Sequence, residues 1–137
     1  MRKIIIATHG DLSKGLKDSL MMIAGDTAQK IETYSLYPGE NPIDYSKKLE
    51  KEIEQNSAIQ YFIFGDLYGA SVINSMLRIS SYNNAFVFSG VNLILVLQVL
   101  LHPESEEIKQ DNLELYITNA QNDIKLLQIE DIEDDDF

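Results

Sequence analysis

The sequence predicts a doubly wound α/β domain, in which a four-stranded parallel sheet carries helices on both faces and an antiparallel strand adds to its edge at the C-terminal end of the chain. Three observations carry this. Short apolar runs alternate with segments of helical period along most of the chain. The first run, Ile4-Ile5-Ile6, is continuous rather than alternating, as a strand covered on both faces requires. The chain has 137 residues, 45% apolar and 24% charged, which suits one globular domain with a sizeable core.

Residues 3–8 read as the first strand. The helix after it places Leu12, Leu16, Leu20, Ile23 and Ala24 on one stripe, with Gly25 just past its end. Residues 31–35 form a second strand, shorter and more polar, as an edge strand would be. Asn41-Pro42 then serve as N-cap and first helical residue. Tyr45, Leu49 and Ile53 are the buried stripe of that helix, and its Lys and Glu residues are the wet face. Residues 59–64 are the central strand, ending at Gly65-Asp66. A loop through Gly69 leads to a helix with Ile73, Met76 and Leu77 facing inward. Residues 85–89 are the fourth strand, ending at Gly90, and Asn92 caps the apolar helix that runs to His102-Pro103. Residues 104–122 form another helix with Leu113, Tyr116, Ile117 and Ala120 on one face. Residues 124–129 read as a last strand, antiparallel and at an edge because no crossover is left after it.

The chain has no cysteine, which excludes disulfide scaffolds, Cys-based zinc sites and thiol catalysis. Its formal charge is −11, from 22 acids against 11 bases, which argues against a nucleic-acid footprint and against binding to anionic membranes. Six of those acids lie in residues 130–137, which read as a solvated acidic tail after a single domain spanning 1–129. The apolar start stops at Thr8-His9-Gly10, too soon for a signal peptide. The apolar run 91–101 is interrupted by Asn92 and Gln98 and falls well short of the ~18 residues of a membrane span. These features read as a cytoplasmic protein.

In open sheets of this kind ligands sit beyond the C-terminal ends of the strands, where the strand order switches. Those positions hold His9-Gly10, Asp66, Gly69-Ala70-Ser71 and Gly90-Val91-Asn92. A neutral imidazole is a nucleophile at physiological pH, and Asp66 would accept its Nδ1–H and leave the Nε2 lone pair facing outward. Gly10 would allow close approach of a partner. Helix N-termini near residues 12–14 and 70–72 would aim N–H groups at the same mouth, which favours an anion such as phosphate. Thr8 and Ser71 would add hydroxyls. Singly, each residue has an ordinary reading as a bonded histidine, a turn-forming aspartate or a turn glycine. Together they point to phosphoryl or proton transfer. One His and one Asp are too few for a metal site, and no glycine-rich nucleotide cradle is present. His102, at the end of the apolar helix, reads as a partner of the helix dipole with no function.

Four segments resemble the enzyme IIA component of the mannose/fructose/sorbose class of the sugar phosphotransferase system. They are Ile5-Ile6-Ala7-Thr8-His9-Gly10 with Leu12 and Gly15-Leu16, Pro38-Gly39-Glu40-Asn41, Gly65–Asn74, and Ser89-Gly90-Val91-Asn92-Leu93. The resemblance covers roughly residues 2–130. It implies a phosphocarrier: His9 would take a phosphoryl group from the histidine carrier protein HPr. It would pass the group on to a IIB subunit, which serves sugar uptake through membrane IIC and IID components. Asp66 would hold the ring. Thr8, Gly10, Gly69, Ala70 and Ser71 would line the phosphate, and Tyr68 and Asn92 would meet the partner or shape the loop. The resemblance also implies homodimers that exchange the C-terminal strand, here residues 124–129.

Ala70 and Val72 depart from the family's loop glycine and proline, and Ile94-Leu95 from its Pro-Met, which bears on partner choice and rate. With no fused IIB domain in 137 residues, that partner is expected as a separate chain. The implied step is in-line attack of neutral His9 on phosphorus, without metal, nucleotide or other cofactor. Two related readings share the fold: the phosphocarrier subunit of a dihydroxyacetone kinase, and a regulatory or ligand-binding domain with weak transfer. A histidine phosphatase would need an arginine clamp, and the chain has only Arg2 and Arg78.

Overall fold

Strand β1 (Arg2–His9) forms where β-branched residues follow one another, and it lies inside the sheet. Ile5, Ile6 and Ala7 have no solvent exposure. Burying each isoleucine contributes about 1.5–3 kcal/mol. The structure is a computed structural model, and residues 1–134 are described. The other strands are β2 (Glu32–Leu36), β3 (Gln60–Gly65) and β4 (Ala85–Phe88). All pairs are parallel, in the order β2-β1-β3-β4. The connecting helices are α1 (Leu12–Ala24), α2 (Ile43–Gln55) and α3 (Ser71–Met76); α4 (Leu93–Leu100) and α5 (Gln110–Asn122) follow β4.

Alternate residues of each strand face different layers. Ile4 and Ile6 of β1, Phe62 and Phe64 of β3 and Phe88 of β4 pack with Leu20 of α1, Val96 and Val99 of α4 and Leu113 and Ala120 of α5. Ile5, Ala7, Tyr61 and Ile63 pack on the opposite face with Leu49 and Ile53 of α2 and Val72 and Met76 of α3. Cross-strand stacks reinforce the first layer, with ring centroids 5.2 Å apart for Phe62–Phe86 and 4.7 Å for Phe64–Phe88.

The strand order reverses between β1 and β3, so the crevice above these two strands is the switch point. Their register pairs Ala7 with Gly65 and brings His9 and Asp66 side by side. Gly65 permits a close crossing of α3: a Cβ there would stand 2.0 Å from Ile73 Cδ1.

Several expectations need correction. Leu12, Ile23 and Leu77 are largely exposed; the inward residues of α3 are Val72, Ile73 and Met76. Helix α5 begins at Gln110, not 104, because residues 103–108 are anchored as a loop. The Arg2 guanidinium donates to the carbonyls of Val99, His102, Pro103 and Glu106 at 2.7–3.1 Å. The Gln60 amide bonds both the carbonyl and the N–H of the buried Ile108.

Residues 124–128 form no strand in this chain. Ile124, Leu126 and Leu127 are exposed, since the segment pairs with neither edge strand of the sheet, and a short helix α6 (Ile129–Asp134) follows. The acidic run expected as a free tail from residue 130 therefore begins within α6, and its last three residues lie outside those described. His102 is buried beyond the end of α4 with Nδ1 2.7 Å from the Tyr116 hydroxyl, so it belongs to the packing of α4 on α5. No helix among the described residues is long and apolar enough to cross a membrane.

Candidate functional site

The residues that follow the strands gather at one mouth. The backbone N–H of His9 donates to Asp66 Oδ2 at 2.9 Å, and Nδ1 of its ring lies 2.9 Å from the same oxygen. An ionised carboxylate only accepts, so Nδ1 carries the proton and the ring's free nitrogen is Nε2. The His9 side chain is 42% exposed, whereas that of Asp66 is 11% exposed. A half-open imidazole thus rests on a nearly buried anion. Burial pushes the Asp66 carboxyl up, but the N–H groups of His9 and Leu67 and the His9 ring outweigh it and hold it below the usual carboxylate range.

Backbone geometry supports the pair. Gly10 adopts φ +57° immediately after His9 and donates its N–H to the Leu36 carbonyl at 2.7 Å. This left-handed turn leads the chain off β1 and into α1, at a place where a side chain would be strained. The loop after β3 is tied to the loop after β4, since Gly90 N–H donates to Asp66 O at 3.1 Å and Val91 N–H to Gly65 O at 3.0 Å.

Thr8 needs correction as a phosphate contact. It is fully buried, and its hydroxyl accepts the Ser13 N–H at 2.8 Å. It thereby satisfies an orphan donor of α1 from the adjacent strand, while Ser13 bonds Ser35 of β2. Gly69, with φ +82°, and Ser71 are exposed at the start of α3, and Ala70 sits beside them. Tyr68 is 83% exposed. Asn92 shapes its loop, because its Oδ1 accepts the Leu95 N–H at 2.9 Å and caps α4.

A cleft of about 430 Å³ opens beside the ring, lined by His9, Gly10, Leu36 and the turn Tyr37-Pro38-Gly39-Glu40. That turn closes with Glu40 N–H on Tyr37 O at 3.1 Å, with proline at its second position and Gly39 at φ +84°. This is the pattern of a type II turn. The Glu40 carboxylate also accepts the Tyr37 N–H.

Sequence reasoning passes over Tyr37, although it directly follows β2 and the rule of inspecting strand ends applies to it equally. Its hydroxyl donates to Asp11 and accepts from Lys14 Nζ at 2.8 Å, linking the turn to the first helical turn of α1. Lys14 and Asp11 were missed with it. Among the described residues, no group of three His, Asp or Glu side chains is placed to hold a metal ion.

Residues 3–114 match the family described as the fructose IIA component of the phosphotransferase system. The fold is similar to that of the phosphotransferase system component EIIA from Streptococcus agalactiae, with TM-score 0.78 and 26% identity over 92% of this chain and 97% of that one. It is also similar to the mannose/sorbose specific IIA subunit from Enterococcus faecalis, with TM-score 0.75 and 22% identity over 93% and 96% of the two chains. The IIA protein associated with the fucose utilization operon of Streptococcus pneumoniae aligns with TM-score 0.73 and 24% identity over 95% and 94%. A family match over most of the chain, with the fold and the paired His9 and Asp66 to accompany it, means that this chain belongs to the fructose IIA family of the phosphotransferase system.

Proposed function

We propose that this chain is a cytoplasmic phosphocarrier that accepts a phosphoryl group on Nε2 of His9 from phospho-HPr and passes it to a separate IIB subunit. The observation that carries the reading is the double hydrogen bond from His9 to Asp66 Oδ2, which fixes ring and tautomer together. The Nε2 lone pair attacks phosphorus in line. The N–P bond of the donor breaks, and its electron pair returns to the donor's ring. Asp66 offsets the positive charge that His9 gains as the new bond forms. The Nδ1 proton stays between ring and carboxylate, so the step needs no other proton acceptor.

The N–H groups around Gly69, Ala70 and Ser71 and the Ser71 hydroxyl are the proposed contacts for the phosphoryl oxygens, with Gly10 leaving room for approach. Exposed Tyr68 is a proposed partner contact. The exposed apolar residues of 124–129 support a homodimer in which that segment pairs with a second copy.

The test is intact mass after incubation with phosphoenolpyruvate, enzyme I and HPr. Wild type should gain one acid-labile phosphoryl group and His9→Ala none. Full phosphorylation of His9→Ala would move the site elsewhere. Capture of a IIB subunit, rather than a kinase subunit, by the phosphorylated form separates sugar transport from the dihydroxyacetone kinase alternative.

A further inference from the structure

The mouth around His9 carries an unbalanced charge. The segments that form it are residues 8–14, 35–42, 66–71 and 89–93. They contain Asp11, Glu40 and Asp66 but only one Lys or Arg, Lys14. The chain as a whole is at −11. A phosphoryl group on His9 would add further negative charge to this place.

Lys14 is held against Tyr37. Its Nζ donates to the Tyr37 hydroxyl at 2.8 Å, lies 3.6 Å from Asp11 Oδ1 and stands 5.4 Å from the centre of the Tyr37 ring. Tyr37 itself lines the His9 cleft, and its hydroxyl donates to Asp11. The hydrogen bond to Tyr37, with the charge of Asp11 behind it, raises the affinity of Lys14 for its proton, so it remains a full cation. The three side chains form a clasp from α1 to the turn after β2, and its one positive charge is bonded to Tyr37, a residue of the same cleft lining as His9.

We propose that Lys14, held by Tyr37, is a charge-offsetting residue that sets how readily His9 holds its phosphoryl group. This rests on the phosphocarrier reading above. Without Lys14 the acidic mouth repels the phosphoryl group and drives it off. With Lys14 the repulsion is partly offset, and the group is retained long enough to be handed on. Tyr37 acts as the positioning residue, since its hydroxyl ties the flexible lysine to the turn that lines the cleft. The transferred bond is unchanged: His9 Nε2–P forms as the donor N–P bond breaks, and Lys14 exchanges no proton.

The experiment equilibrates the protein with phospho-HPr and reads the phosphorylated fraction by intact mass, across a salt series, for wild type, Lys14→Gln, Lys14→Arg, Tyr37→Phe and Lys30→Gln. Lys30 lies at the opposite, N-terminal end of the strands, so Lys30→Gln makes the same change in net charge away from the mouth. One charge acting on a nearby dianion predicts that Lys14→Gln lowers the equilibrium constant about five-fold at low salt. The difference should shrink as salt rises. Lys14→Arg should stay within about two-fold of wild type, since it retains the charge. Tyr37→Phe should move in the same direction as Lys14→Gln, and Lys30→Gln should match wild type. Lys14→Gln equal to wild type at low salt, or Lys30→Gln equal to Lys14→Gln, would overturn the inference while leaving the carrier reading intact. Wild type that takes no phosphoryl group would overturn both.

Discussion

Asp66 Oδ2 accepts two hydrogen bonds from a single residue, the backbone N–H and the ring Nδ1 of His9, both at 2.9 Å. The backbone bond fixes where the residue stands and the ring bond fixes how its imidazole is turned. One carboxylate oxygen therefore determines both the place and the tautomer of the imidazole.

Asp66→Asn preserves the shape but removes the charge that stabilises the developing imidazolium. Phosphorylation by phospho-HPr should slow by roughly ten- to a hundred-fold without a change in fold. Asp66→Ala should be slower still, because the ring also loses its orienting bond. Initial rates of mass gain, with circular dichroism as the check on fold, decide this. A rate for Asp66→Asn equal to wild type would remove Asp66 from the mechanism.

The carboxyl of Asp66 also links stability to pH. Its folded affinity for protons is held below the ordinary value of 3.8. A group depressed in this way contributes stability that is fully present above its unfolded pKa and is lost as pH falls through the folded one. Thermal midpoints measured from neutral pH into strong acid should therefore hold until the pH nears 4 and fall below it. The acid fall should be shallower in Asp66→Asn than in wild type. Parallel curves would show that the His9–Asp66 contacts contribute nothing to this linkage.

Thr8 is a structural residue beneath the site. Thr8→Val keeps the volume but leaves the buried Ser13 N–H without its acceptor. The expected loss is about 1–2 kcal/mol in denaturant unfolding. Thr8→Ser should recover most of it. If Thr8→Val matched wild type in stability and instead lost only phosphorylation, the hydroxyl would belong to the phosphate site after all.

Gly65 marks the closest approach of α3 to β3. An added Cβ would lie 2.0 Å from Ile73 Cδ1 and 2.7 Å from Cγ1, and Ile73 is buried. Gly65→Ala should cost about 1–3 kcal/mol, as overpacking of a dense core does. Gly65→Ala combined with Ile73→Val, which deletes the nearest atom, should regain part of that. A double mutant no more stable than Gly65→Ala would place the strain elsewhere.

Parts of the fold were legible because they depend on local pattern. The Ile4-Ile5-Ile6 run announces a strand buried on both faces, and the spacing of Tyr45, Leu49 and Ile53 announces the inner face of α2. The His9–Asp66 pair was legible too, since parallel strands joined by helices bring residues after different strands to one end of the sheet. Residues 103–109 were not. Their composition suits a helix, but the side chains of Arg2 and Gln60, distant in sequence, bond their backbone and hold it as a loop. Residues 124–129 have the apolar pattern of a strand, but a strand exists only where it pairs with another, and the sheet of this chain ends at β2 and β4 without this segment on either edge.

The sequence by itself determined the alternation of strands and helices and the pairing of one histidine with one aspartate, because periodicity and strand-end position are local properties that survive folding, and four motif segments carried the resemblance to the family. Tertiary structure alone decided that Thr8 turns inward to serve α1, that Gly65 makes room for Ile73, and that Tyr37 ties Lys14 and the N-cap Asp11 of α1 to the turn after β2. Each of these depends on how a helix or turn seats against the strand beside it, and that is set only when the two layers close over the sheet.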